Sequence, residues 1–177
     1  LIIFYYCLPI SGWGQSIEII DWKTDLNYLK TVLPALHSNL FNKITAEEFN
    51  AGIDRLIAKS EKIAHDDMII KIEQLLVKVG DSHTGSNFLN RISKKILPFV
   101  LYQYEEGIFI VGATEEEKAI LGNKIIGFNG IDIRQIMDSL KTVIVAENES
   151  IIKARMPALL INFTLLHHFG FAKNETI

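Results

Sequence analysis

Cysteine is almost missing from this chain. Cys7 is the single one in 177 residues, and it falls within an uncharged opening run, residues 1–14 (LIIFYYCLPISGWG). Tyr5 and Tyr6 precede it where a lipid-modified cysteine would have small residues. Past that run no thiol remains, which excludes a disulfide framework, a cysteine nucleophile and a thiolate metal site. Positive charge is also short: 18 Lys and Arg stand against 21 Asp and Glu, for a net charge of −3. The lysines alternate with carboxylates and form no basic stripe, which argues against a nucleic-acid partner. No glycine loop follows a strand with phosphate-binding spacing, because Gly127 and Gly130 stand too close together. Adjacent His167 and His168 point about 100° apart on a helix and cannot chelate as an i, i+4 pair would. Glu115, Glu116 and Glu117 open a short helix, where its dipole favours acid. No metal and no cofactor is therefore expected.

What is present is globular material. Apolar residues make up 49% and charged ones 22%, enough for one medium domain or two small ones. Residues 1–14 are too few to span a bilayer, which takes about 20, but suit the apolar region of a secretory signal. Gly14 and Ser16 fit the −3 and −1 positions of a cleavage site after Ser16. With neither an initiator Met nor basic residues ahead of it, the segment reads as the inner part of such a signal. Export to a periplasm or to the exterior is the expectation, with the membrane touched only through that signal. In a bacterial setting the sequons at Asn148, Asn162 and Asn174 carry no information.

Periodicity then divides the chain. Residues 22–36 place Leu26, Leu29 and Leu33 on one helical stripe, with Pro34 ending or kinking the helix. Thr45-Ala46-Glu47-Glu48 is a capping box opening a helix with Phe49, Ile53, Leu56 and Ile57 on one face. A third helix, begun by Asp66 or Asp67, aligns Ile69, Ile72, Leu76 and Val79, with Gly80 as its C-terminal cap. After Lys95 the pattern turns β-favouring: strands at 98–104 and 108–111 about a turn at 105–107, a short helix at 115–121, and a strand at 124–128. Asn129-Gly130 is a type I′ turn signal, and a helix follows from Arg134 to about Ile144. Residues 149–168 are helical again, with Pro157 in the first turn of a second helix. The expected architecture is α+β: an N-terminal helical bundle domain, a small β-barrel domain of PDZ-like type, and C-terminal helices. Its divisions are 1–16 (leader), 17–93 (helical domain), 94–147 (PDZ-like domain) and 148–177 (helical connector).

Two motifs carry chemistry. Gly80-Asp81-Ser82-His83-Thr84 puts an imidazole on a tight polar loop at a helix end. About forty residues on, Leu121-Gly122-Asn123-Lys124-Ile125-Ile126-Gly127-Phe128-Asn129-Gly130 reads as a strand running into a glycine turn. In this order, behind an export signal, they resemble the front part of the serine peptidase family that includes the tail-specific (C-terminal processing) proteases and the tricorn core. The likeness covers about residues 20–170. It implies a peptidase acting on peptides or unfolded proteins through an acyl-enzyme, with the nucleophilic serine and oxyanion hole in a further α/β domain beyond Ile177. Without that domain this stretch is expected to be inactive. Tail-specific members use a lysine base from the further domain, whereas the tricorn core uses a histidine preceded by serine. Ser82-His83 matches the second arrangement, which implies His83 as general base and Ser82 in its orienting relay. A serine hydroxyl needs such a base at neutral pH, and imidazole, with an ordinary pKa of about 6.5, can serve. The other reading of His83 is a loop histidine satisfying backbone groups, and the choice between lysine and histidine stays open.

The PDZ-like resemblance also implies peptide binding. The loop that would hold a terminal carboxylate contains Pro98, which has no N–H to donate. Two readings remain: a peptide added as an edge strand along Phe99, Val100 and Leu101, or a domain that only supports the active site. The rival for the whole chain is a non-catalytic peptide-binding or scaffold protein.

Overall fold

The computed structural model describes residues 21–92 and 95–173. The expected leader, with Cys7 and the cleavage site after Ser16, lies outside them. Helix α1 (Trp22–Leu36) starts at Asp21, whose carboxylate accepts the N–H groups of Lys23 and Thr24 at 3.1 and 3.2 Å. It runs on through Pro34, which sits in its last turn. Helix α2 (Ala46–Ile57) has the capping box its sequence specifies: Thr45 Oγ1 accepts the Glu48 N–H at 3.1 Å, and the Glu48 carboxylate accepts the Thr45 N–H at 3.0 Å. Helix α3 (His65–Val77) begins with no side-chain cap. Leu26, Phe49, Ile53, Met68 and Leu75 bury one another between these three helices and form the smaller of two apolar clusters.

The second half is built around a hairpin of β1 (Phe99–Tyr104) and β2 (Gly107–Ala113), to which β3 (Lys124–Ile125) adds on the far side of β2. All pairings are antiparallel, and β1 is an edge strand. A separate ribbon pairs β4 (Gly127–Phe128) with β5 (Ile131–Asp132). Its turn has φ of 51° at Asn129 and 79° at Gly130, the double positive φ that a type I′ turn requires. Helices α4 (Ile133–Lys141), α5 (Glu149–Leu160) and α6 (Phe163–His168) complete the chain.

This is not the expected helical bundle followed by a PDZ-like barrel. Among the described residues there are six α-helices and two small antiparallel sheets, and no closed barrel. The reason lies at Ile126. The strand expected over 124–128 breaks there, and Ile126 stands 77% exposed between the two sheets. Gly127 then packs so closely on β5 that an added Cβ would lie 2.0 Å from the Ile131 carbonyl oxygen. Three strands of two residues each cannot carry a sheet round to its own edge. Two further expectations shift. The helix at 115–121 is only a 3-10 turn at Lys118–Ile120. Pro157 lies inside α5 rather than opening a new helix, and Asn162 caps α6, its Oδ1 accepting the Leu165 N–H at 3.0 Å.

The larger apolar cluster joins Ile69 and Ile70 of α3 with Leu101, Ile108, Ile136, Leu140, Met156 and Leu165. Helix α3 thus gives one face to each cluster: Met68 and Leu75 to the first, Ile69 and Ile70 to the second. A third tie is a short polar contact, with His168 Nδ1 of α6 at 2.5 Å from Asp67 Oδ1 of α3.

Candidate functional site

The loop after α3 is positioned by its own chemistry. Gly80 takes φ +69°, a left-handed conformation that suits glycine, and Lys43 Nζ donates to its carbonyl at 3.0 Å. Asp81 folds the next residues into an Asx turn: its Oδ1 accepts the His83 N–H at 3.0 Å and its Oδ2 accepts the Thr84 hydroxyl at 3.1 Å. From α1's end, His37 reaches the same carboxylate with Nε2 at 2.9 Å from Asp81 Oδ2, and at 2.9 Å from Thr84 Oγ1. Its Nδ1 accepts the Asn39 N–H at 3.0 Å, so the proton of the neutral ring sits on Nε2 and is donated into the loop. The His83 N–H, and after it His37, holds the Asp81 carboxyl below the usual carboxylate range.

Two more ties reach across the loop. Ser82 Oγ donates to Glu147 Oε1 at 2.5 Å, joining the loop to the segment after α4. Ser86 donates both its N–H (2.8 Å) and its hydroxyl (2.6 Å) to Glu73 Oε2. Held by Lys43, His37, Glu147 and Glu73, the loop presents one side chain outward. His83 is exposed, and among the described residues its ring makes no hydrogen bond.

Two clefts meet at that ring. One, of about 470 Å³, lies between the loop and α5, with Glu73, Phe88, Val145 and Arg155 among its walls. The other, of about 580 Å³, runs along α1 past Trp22, Leu29, Leu33 and Leu36. His83 and Gly85 line both. An imidazole whose nitrogens make no hydrogen bond among the described residues, at the junction of two clefts, can accept a proton from a group brought to it.

The expected site residues are distributed as follows. Ser82 neighbours His83 in the loop, but its hydroxyl is turned to Glu147 and no hydrogen bond links it to the ring. Phe99, Val100 and Leu101 lie on edge strand β1 and border neither cleft. Phe99 already donates its N–H to the Leu97 carbonyl at 2.8 Å. Among the described residues no group of three or more His, Cys, Asp or Glu is placed to hold a metal ion, and no helix is long and apolar enough to cross a membrane. His37, expected from the sequence as a lone and exposed connector residue, is instead only 13% exposed at its side chain and is tied to Asp81. Nothing local marks Glu147. Glu73 was visible, since it falls between Ile69 and Leu76 on the apolar stripe of α3, where a carboxylate is out of place.

The chain matches no known family model, no curated protein and no solved structure.

Proposed function

We propose that this chain belongs to an exported serine endopeptidase, in which His83 takes the proton from a serine supplied by another part of the protein. The observation that supports this is the His83 ring itself: exposed, without a hydrogen-bond partner among the described residues, and carried on a loop tied down by Asp81, His37 and Thr84. The architecture lends no support, because the barrel that the resemblance implied has not formed. Ser82 acts through Glu147 as a brace on the loop rather than through the ring. The test is hydrolysis of quenched-fluorescent casein by the protein from the full reading frame, with and without His83→Ala. Loss of a general base lowers kcat by about 10²–10⁴-fold. Undiminished cleavage by a normally folded His83→Ala protein, or no cleavage by the wild type, rules the reading out.

One observation favours the non-catalytic rival. Val100, Tyr102 and Tyr104 alternate along β1 and are all exposed, as is Val111 on β2. The Tyr102 and Tyr104 rings lie 4.6 Å apart, and Phe109 meets Tyr104 edge-on at 5.6 Å. Such a face suits contact with another polypeptide. Tyr102→Ser/Tyr104→Ser separates the two readings: the peptidase loses little cleavage, whereas a scaffold loses its partner.

A further inference from the structure

Glu73 is the least expected charge in the molecule. It is 4% exposed, and a buried carboxylate is costly to keep unless a cation or a full set of donors meets it. Here the two oxygens are served unequally, and Oε1 is not sealed from the cleft. Both hydrogen bonds from Ser86 fall on Oε2. Among the described residues Oε1 accepts none, and no Lys, Arg or His lies within ion-pair distance of the carboxylate. Gly85 lies against this oxygen, where an added Cβ would come within 3.3 Å of it, so a side chain at that position would crowd it. The one guanidinium of the cleft, Arg155, is exposed at its mouth and donates Nη1 to the Val145 carbonyl at 2.9 Å. It does not neutralise Glu73.

Phe88, Leu89, Val143 and Leu159 give the cleft apolar walls, and Ser82, His83, Asn87 and Arg155 are its other polar members. Apolar walls leading to a buried carboxylate that no cation among the described residues pairs with suit a methylene stem ending in a charged head. His83 borders the same cleft. We infer that the cleft takes a lysine or arginine side chain of a bound polypeptide, its head on Glu73 Oε1 and its main chain passing the His83 imidazole. The substrate class of the site is thus a polypeptide with a basic residue beside the bond that is handled. This deepens the peptidase reading and rests on the part of it that has a polypeptide cross the His83 loop.

The test is binding, read without hydrolysis. Three fluorescein-labelled decapeptides of one sequence, differing only in a central Lys, Nε-acetyl-Lys or Glu, are titrated into the full-length protein by fluorescence anisotropy. The lysine peptide should bind at least about tenfold more tightly than the acetyl-lysine peptide, and the glutamate peptide more weakly still. Glu73→Gln, which keeps an acceptor for Ser86, should bring lysine and acetyl-lysine to equal affinity. Equal affinities on the wild type, or no binding of any of the three, overturn the inference without recourse to a variant. A lysine preference that survives in folded Glu73→Gln overturns it too. A lysine preference without peptide cleavage would keep the Glu73 site and remove the peptidase; cleavage without the preference would do the reverse.

Discussion

The two apolar clusters are assembled by different means. In the first, every buried residue lies between Leu26 and Val79, and two of the three helices that carry them have starts written into the sequence, at Asp21 and Thr45. In the second, buried residues run from Ile69 to Ala172, drawn from strands β1, β2 and β3 and from helices α3 to α6. One half is held by short-range rules and the other by long-range closure. They meet in α3, and the loop at residues 81–86 leaves from its end.

Variants can break that comparison. The largest effect is expected at Met68 and Ile70, both fully buried in α3 but facing different clusters. Each change to alanine should cost about 2–5 kcal/mol, and urea unfolding should remain a single transition. Two separate steps in Met68→Ala would show that the halves unfold independently. Next comes Gly127→Ala, which forces a methyl against the Ile131 carbonyl. It should cost about 1–3 kcal/mol and disturb the amide resonances of β4 and β5 while leaving α1 and α2 unmoved. Thr45→Ala, which removes the capping box of α2, should cost about 1 kcal/mol by the same urea measurement.

Acid sharpens the picture of the loop. The Asp81 carboxyl is lowered in the folded protein, by the His83 N–H first and His37 next. A lowered carboxylate contributes stability that is complete above the unfolded value of about 4, and that is lost as pH falls through the folded value. Asp81→Asn should therefore flatten the fall in stability below about pH 4 while leaving the contributions of Asp21 and Glu48, which are lowered in the same direction. The smallest effect is expected from His83→Ala, whose ring makes no hydrogen bond among the described residues. Its thermal midpoint should match the wild type, within about 0.5 kcal/mol of stability. A larger loss would mean that the ring is holding the loop.

Legibility follows the same division. The capping box at Thr45, the stripe of α2 and the Asn129-Gly130 turn could be read because each depends on residues within four positions. The barrel could not, because whether 124–128 continues as one strand depends on how closely Gly127 meets Ile131 across the ribbon. Pro157 misled for a related reason: tertiary packing of Met156, Leu159 and Leu160 holds α5 together across a residue that would break an isolated helix. At the site, the His83 loop could be read as polar and tight. Its ties could not, since His37 and Glu147 arrive from 44 and 65 residues away from their partners.

The link between Asp67 and His168 spans 101 residues of chain. As the protein emerges from the ribosome, α1, α2 and α3 can close around Phe49 early, yet Ile69 and Ile70 stay wet on the other side of α3 until α6 is made. For that interval the nascent chain carries a greasy, half-finished surface beside the loop at residues 81–86.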